Sequence, residues 1–349
     1  MPSPLRNLRL PEALALALVV LAACAGCGEV SDAGPDAAAA DPDAATTDGG
    51  DGPPTQVLVT LVSHNEDTRT GANPACTAFF GDLAGRYAAN RAAVLAIADL
   101  VVAGDAAWDF ESDAEYLDAV AAREPADDNV VRTLATRSPA HIVVDAHAHE
   151  SPVKNYADVA NQVEALAGVR TGVIGGYLVD PCDGGPPSPD WEKCRAPLTP
   201  AGGGAALTAT VLALGASPGH RCDPPASGVW RPASHAEPFR DDPTQTLPAI
   251  GPGLSGLGLV DGLAAIRTLV ADLRAGRLEP HRLYTASVTI PQCDFDLADG
   301  GVTPTDVAAF IDAVNAEVAT GDVAWATFPD IVATWRADYA AAPSLWTGE

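Results

Sequence analysis

Lysine is almost absent from this chain of 349 residues, in which Lys154 and Lys193 are the only two. Together, lysine and arginine number 20 against 46 acidic residues, so the formal net charge is -26 at pH 7. A surface of that sign repels nucleic-acid phosphates and anionic lipid headgroups. We therefore expect no nucleic-acid partner and no direct electrostatic binding to membranes, and the sequence indicates no protein partner.

The longest N-terminal apolar run is too short to cross a membrane. Arg6 and Arg9 precede Ala13–Val20, which falls well below the ~20 residues that a spanning helix needs but suits the core of a secretion signal. Leu21-Ala22-Ala23-Cys24 follows and resembles the processing site of bacterial lipoproteins, in which the cysteine is lipidated and becomes the new N-terminus. The alternative is ordinary cleavage that leaves Cys24 unmodified.

A core-forming pattern is missing from the segment that follows. Alanine, aspartate, glycine and proline without periodicity cannot bury enough apolar surface to offset the entropy lost on ordering. Between Glu29 and Asp51 there are seven acidic residues and no basic one. We interpret 1–23 as a lipoprotein signal peptide, 24–55 as a lipid-anchored flexible acidic linker and 56–349 as the folded domain. The expected location is the cell envelope, on the periplasmic face of a membrane or at the cell surface.

Cysteine usage fits an exported protein. Disulfides form outside the reducing cytoplasm, and Cys182 and Cys194 bracket a loop rich in glycine and proline that a disulfide would close. We expect this pair to be bridged. The pairing of the other cysteines does not follow from the sequence.

Apolar strands alternate with amphipathic helices along 56–349. Val57–Val62 and Ile142–Val144 are the strongest strand candidates, since both are short and rich in β-branched and apolar residues. Weaker strand candidates are 173–179, 208–214, 283–290 and 323–327, and helices are expected at 156–167, 261–274 and 305–319. This alternation predicts an α/β fold with a parallel sheet, and about seven strands favour an incomplete parallel (β/α) barrel.

Side chains that could bind a metal follow both strong strands. They are His64, Glu66 and Asp67 after the first, and Asp145, His147 and His149 after the second. Imidazoles two residues apart on an extended segment point to the same side, and carboxylates would complete a nitrogen and oxygen shell suited to zinc. We expect the two strands to be parallel neighbours, which would bring His64, His147 and His149 together with Glu66 and Asp145 beside them. Chance clustering or a purely structural metal would explain the same pattern.

The order of these motifs resembles that of the metal-dependent polysaccharide deacetylases in the glycoside hydrolase/deacetylase barrel superfamily. In that family two adjacent acids, matched here by Glu66-Asp67, supply a general base and a metal ligand. Asp145 and His149 have the four-residue spacing of the family's next two ligands, and Arg231-Pro232 is similar to the segment that orients the base. The resemblance implies hydrolysis of an amide or ester by metal-activated water. His64 is not part of the family pattern, and no late leucine-x-histidine supplies a general acid.

Two tryptophans could contribute to a carbohydrate site. Trp230 precedes Arg231, and Trp108 lies between the two metal-binding motifs. Their flat apolar faces are of the kind on which sugar rings stack, although packing in the core is the more frequent role of tryptophan.

Two other classes of function remain open. The Asp145-Ala146-His147-Ala148-His149 segment also resembles the first-strand motif of the amidohydrolase barrels. Too few residues follow it for a barrel of ~250 residues, and a strong strand precedes it. The second alternative is a lipoprotein that binds a metal or glycan without catalysis, which would explain the missing general acid.

Membrane attachment through Cys24 can be tested directly. Cys24→Ala should release the protein from the membrane fraction or leave its precursor unprocessed, because the lipidated thiol is gone. Fractionation and metabolic labelling with a radioactive fatty acid would measure this, with Cys27→Ala as the matched control. Substituted protein that is still matured and still floats with membranes would show that Cys24 is not the anchor.

Overall fold

The computed structural model describes residues 52–66, 83–148, 150–177, 179, 190–215, 223–254, 258–291, 295 and 301–347. All of them belong to one compact unit, Asp51–Glu349. The predicted signal peptide, Cys24 and nearly all of the linker lie outside these residues. Within the described part of the chain, no helix combines the length and apolarity needed to cross a membrane.

Strands and helices alternate through most of the chain. The strands are β1 (Gln56–Asn65), β2 (Trp108–Ser112), β3 (Ile142–His147), β4 (Val173–Tyr177), β5 (Val211–Leu214), β6 (Val229–Trp230), β7 (Pro232–Ser234), β8 (Glu237–Asp241), β9 (Ala249–Ile250), β10 (Leu283–Pro291) and β11 (Val323–Trp325). The helices are α1 (Leu83–Ala103), α2 (Ala114–Arg123), α3 (Val130–Arg137), α4 (Tyr156–Ala167), α5 (Gly258–Arg274), α6 (Pro304–Val318) and α7 (Phe328–Ala337), with a 3-10 helix at Trp191–Arg195.

The main sheet has the strand order β10-β1-β2-β3-β4-β5-β9-β6. The first seven strands in this order are parallel, and β6 pairs antiparallel with β9. Strands β11 and β2 pair with the same edge of β1. Strand β11 pairs with Val57–Val59 in its amino half, and β2 pairs with Leu61–Asn65 in its carboxyl half. The predicted α/β fold with an incomplete parallel barrel is therefore confirmed, with no ladder between β6 and β10 in the described chain.

One expectation about the sheet is wrong. The two strong strands, β1 and β3, are not neighbours, because β2 lies between them and pairs with both. Strand β2 begins at Trp108 and alternates aromatic with acidic residues, a pattern typical of a strand with one solvated face rather than one buried on both faces.

The sheet separates two apolar clusters. Val57, Val59 and Leu61 point outward and pack under the surrounding helices, whereas Leu58 and Val62 point inward. This alternation follows from the two-residue period of a strand. The inward cluster is completed by one face of α7, whose buried residues are Phe328, Ile331, Val332 and Trp335. Helix α7 thus fills part of the barrel interior.

Side-chain hydrogen bonds join β10 to the residues beside β6 and β9, where no strand pairing among the described residues closes the sheet. We call this junction the seam. Thr285 on β10 accepts a hydrogen bond through Oγ1 from Gly228 N at 2.7 Å and donates one to Gly251 O at 2.7 Å. Ser227 adds a second link, since its Oγ donates to Thr285 O at 2.8 Å and accepts from Thr285 N at 2.9 Å. Ser287 N donates to Pro252 O at 2.9 Å. The seam is thus joined through the hydroxyls of Thr285 and Ser227 and through the backbone hydrogen bond of Ser287.

We predict that Thr285→Val destabilises the domain by about 2–5 kcal/mol, because a shape-matched side chain leaves Gly228 N–H and Gly251 C=O buried without partners. Urea denaturation followed by circular dichroism would measure the loss. Thr268→Val is the control, since that hydroxyl lies exposed on α5 and bonds only to its own helix. Equal stability of the two variants would show that the seam hydroxyl contributes nothing.

Candidate metal centre

Three inward side chains meet at the carboxyl ends of β1, β2 and β3. His64 lies opposite Glu111 in the register of β1 with β2, and Glu111 lies opposite Asp145, two residues before His147 on β3. Inward positions recur at every second residue, so parallel pairing places these side chains together. His64, Glu111 and His147 are 4%, 0% and 3% exposed, and their ligand atoms all lie within 4.8 Å of one another.

The carboxylate of Glu111 lies between the two imidazoles. Its Oε2 is 3.2 Å from His64 Nε2 and 3.6 Å from His147 Nδ1. The two imidazole rings stack on each other with centroids 4.4 Å apart and planes inclined by 25°. His147 Nδ1 also lies 3.2 Å from the carbonyl oxygen of Gly175. The arrangement directs two nitrogens and a carboxylate towards one point.

These donor atoms fit a divalent metal. His64 Nε2 and both carboxylate oxygens of Glu111 are buried and have no partner with hydrogen-bond geometry. Buried polar atoms are rarely left in this state without an ion, water or catalytic role to explain them. Ligands bound to tetrahedral zinc at ~2.0–2.1 Å are about 3.4 Å apart, close to the separations observed here. The cluster could hold a metal ion, and imidazole with carboxylate favours zinc without identifying it.

Two consecutive glycines on β4 make room for the cluster. A Cβ atom on Gly175 would lie 2.3 Å from the carboxyl carbon of Glu111. One on Gly176, whose φ is +62°, would lie 2.3 Å from His147 Cε1 and 3.3 Å from His64 Cε1. Any larger residue at these two positions would displace a candidate ligand.

Glu66 borders the cluster on its open side. Its Oε1 lies 2.8 Å from His147 Nε2 and 3.8 Å from His64 Nδ1. The Glu66 side chain is 22% exposed, unlike the three buried candidate ligands. A carboxylate in this place can reach both the cluster and a molecule arriving from solvent.

A pair of acids lies beneath the cluster. Asp145 accepts a short hydrogen bond from Thr171, and Asp109 accepts one from Phe328 N at the first turn of α7 at 3.0 Å. Burial, followed by the charge of Asp145, raises the pKa of Asp109 well above its usual range. Burial also raises the pKa of Asp145 to about 6 against the opposing hydrogen bonds from Asp109 and Thr171. The raised pKa favours the protonated form of Asp109, which can donate a hydrogen bond to Asp145.

The two imidazoles have opposite protonation preferences. Burial and then repulsion from His147 lower the pKa of His64. Burial also opposes the charged form of His147, but its contacts with Glu111 and Glu66 outweigh that effect and raise its pKa to about 10. Contacts with His147 and His64 likewise outweigh burial for Glu111 and lower its pKa. Without a metal, the neutral-pH state is neutral His64, charged His147 and ionised Glu111.

The structure brings together only part of the predicted site. His64, Glu66 and His147 meet as expected, whereas Asp145 lies one layer deeper and bonds to Thr171. Asp67, His149 and Cys182 lie outside the described residues. Cys194 is buried in the 3-10 helix with a free thiol, and its bridge to Cys182 stays a prediction.

Three further candidates lie elsewhere. Both oxygens of Asp241 bind the guanidinium of Arg231 at 2.8–3.0 Å, and that group also lies over the Trp335 ring, so the described contacts of Arg231 do not support a role in orienting Glu66. Trp108 and Trp230 are 0% exposed and donate their indole N–H groups to Ser63 Oγ and Pro238 O. Both tryptophans have the core role that the sequence also allowed, because neither offers a face to a sugar.

Sequence reasoning missed Glu111 because it missed β2. The signal lay in the strict alternation of Trp108-Asp109-Phe110-Glu111-Ser112, in which the aromatics mark the outward face and the acids the inward face. Inside a barrel, an acidic face on a short strand indicates a polar interior rather than solvent.

No protein family model matches the chain, and no curated protein matches it significantly. Comparison with solved structures finds similarity over most of this chain at low sequence identity. A protein of Mycobacterium smegmatis assigned as a polysaccharide deacetylase has 13% identity and a TM-score of 0.46, covering 82% of this chain and 92% of that one. A variant of peptidoglycan deacetylase PdaC from Bacillus subtilis has 10% identity and a TM-score of 0.33, covering 82% and 95%. The 4-alpha-glucanotransferase of Thermococcus litoralis has 9% identity and a TM-score of 0.40, covering 83% and 40%.

Metal binding should release a proton from His147. Its pKa of about 10 keeps the imidazole charged near pH 8, and a metal ligand must be neutral. Zinc affinity should therefore rise about tenfold per pH unit between about pH 7 and 9. Calorimetry in buffers of different ionisation enthalpy should find about one proton released per ion. Release near zero would contradict the charged state of His147.

The raised pKa of His147 should also make the stability of the metal-free protein depend on pH. The pKa of about 10 in the folded protein lies above the unfolded value, so charged His147 stabilises the fold fully below about pH 6.5. This contribution to the free energy of unfolding is lost as pH rises towards 10. Melting temperatures measured with a chelator should fall over that window. His147→Gln should flatten the fall, while the control His281→Gln should retain it.

Proposed function

We propose that this protein is a metal-dependent hydrolase of the cell envelope that removes acyl groups from carbohydrate by amide or ester hydrolysis. One observation carries the proposal, namely the buried His64–Glu111–His147 cluster with the partly exposed Glu66 carboxylate at its open side. A purely structural metal site has no need of a carboxylate that reaches solvent beside it.

His64, Glu111 and His147 would hold the ion, and His149 is a further candidate from the sequence. A divalent metal supplies Lewis acidity, which polarises a carbonyl and lowers the pKa of water towards ~7. The remaining work falls to the protein. Gly175 and Gly176 keep the space around the ligands, and contacts with His147 and His64 keep the Glu111 carboxylate ionised.

Glu66 is the residue we assign as general base. It lies within hydrogen-bonding distance of His147, so its carboxylate is held in place while one side remains accessible. A water molecule attacking an acyl carbon must lose a proton, and a positioned carboxylate accepts it.

The carbohydrate substrate and the cellular location come from the sequence. The resemblance of Glu66-Asp67 and the histidine motif to polysaccharide deacetylases supports an acylated sugar as substrate. The signal-peptide and Cys24 pattern supports attachment by lipid to the envelope, where such polymers lie.

The amidohydrolase alternative loses support. It needs the two histidines of the Asp145-to-His149 motif on the first strand of the barrel, with further histidines and an aspartate on later strands. Here Asp145 and His147 lie on β3, and β1, which bears His64, precedes them.

The decisive variants are Glu66→Gln and Glu111→Gln. Glu66→Gln should retain bound zinc and lower the rate of deacetylation by at least ~10²-fold, as expected for loss of a general base. Glu111→Gln should lose both metal and turnover. Metal content would be measured by mass spectrometry, and acetate release from acetylated chitin and xylan oligomers by coupled assay.

A matched acid elsewhere provides the control. Glu164 lies exposed on α4, where its carboxylate pairs with Arg170. Glu164→Gln should change neither the metal content nor the rate of acetate release. Wild-type protein that binds zinc tightly but releases no acetate or other acyl group would favour a non-catalytic metal-binding lipoprotein. Absence of bound metal at micromolar zinc would rule out the proposed chemistry.

A further inference from the structure

A cavity lies at the opposite end of the strands from the candidate metal centre. It has a volume of about 510 Å³, within the range of small-molecule sites. Its walls come from the turns that precede β2 and β3 and from the end of α6, with Trp325 of β11. Alanines at 106, 107, 140, 319 and 324 line much of the wall, so the space arises from missing side-chain volume.

Few polar atoms in this cavity remain available. Asn315 donates through Nδ2 to Gly104 O at 2.8 Å and accepts through Oδ1 from Trp325 Nε1 at 2.8 Å, so its amide serves to fix the indole. His141 Nδ1 lies 3.0 Å from Ala106 O, and its Nε2 lies 3.5 Å from Asp105 Oδ1. The polar groups at the cavity are thus the Asp105 carboxylate and the imidazole edge beside it, next to an aromatic ring.

The backbone at Asp105 gives a second, independent indication. Asp105 has φ of 53° at the end of α1, and Ala106 N donates to Val101 O at 2.9 Å to close the helix. Glycine is the usual residue at this left-handed position, since a side chain there is unfavourable. The Asp105 side chain is 94% exposed at the rim of the cavity and gains little from packing there. This backbone conformation places the Asp105 carboxylate at the cavity rim, where a ligand can reach it.

We infer that this cavity is a saccharide-binding site separate from the metal centre. A pyranose ring offers several hydroxyl donors and an apolar face of C–H groups. The hydroxyls match the Asp105 carboxylate, which accepts hydrogen bonds, and the imidazole edge of His141 beside it. The apolar face matches Trp325, whose indole Asn315 holds in place. Such a site would hold a polymer while the other end of the barrel acts on it, and its existence does not depend on the proposed hydrolysis.

Calorimetric titration of the full-length protein with chitotriose and maltotriose tests the inference. Titrations are made with chelator and repeated in His64→Ala, so that binding at the metal centre is not counted. We expect one site in both proteins. Asp105→Gly should weaken binding at least tenfold while leaving the melting temperature unchanged or raised, because glycine suits the backbone there.

Blocking the cavity gives a second variant that does not depend on hydrogen bonds. Ala319→Phe places a ring at the cavity from the exposed end of α6 and should abolish binding. Ala309→Phe, at another exposed position of the same helix, should bind like the wild type. Three results would overturn the inference. They are failure of both sugars to bind the folded protein, binding unaffected by Asp105→Gly and Ala319→Phe, and displacement of the sugars by tetramethylammonium at equal concentration.

Discussion

Five ionisable side chains share the interior of one barrel, and their burial is the constraint on which the rest of the structure depends. Asp109, Glu111, Asp145, His64 and His147 lie on three adjacent strands, and each is at most 4% exposed. A buried charge without a partner is unfavourable by several kcal/mol. Each of these groups therefore requires a specific neighbour, and those neighbours determine much of the local sequence and geometry.

The neighbours form layers along the barrel axis. Apolar side chains of α7 fill the lower part, and the first N–H of α7 with Thr171 binds the acid pair above it. Above that layer lie the two imidazoles and Glu111, and Glu66 reaches solvent. The interior thus changes from apolar to charged within a few residues of each strand. In the layer of His64 and Glu111, buried nitrogen and oxygen atoms point together without hydrogen bonds, so a cation there would lower the electrostatic cost of burying them.

Most of the fold could be predicted from the sequence, because β1, β3, β10 and the long helices have clear apolar periods. The site could be predicted only in part. Histidines at the ends of two apolar strands pointed to His64 and His147, which the structure brings together with Glu111. Missing β2 removed Glu111 and made β1 and β3 appear to be neighbours, since acids within a strand normally indicate solvent. Residue type suggested Trp108 and Trp230, and a short motif suggested Arg231. Whether such side chains face a ligand or the core is decided by tertiary packing, which neither residue type nor a short motif encodes.

The central position of β1 constrains when the protein can fold. This first strand pairs with β10, which begins at Leu283, and with β11, which begins at Val323. Closing so long a loop is entropically slow, and the middle of the sheet lacks both partners until nearly the whole chain is available. Strand order thus delays completion of the sheet, because its first strand is synthesised long before the two strands that pair with it.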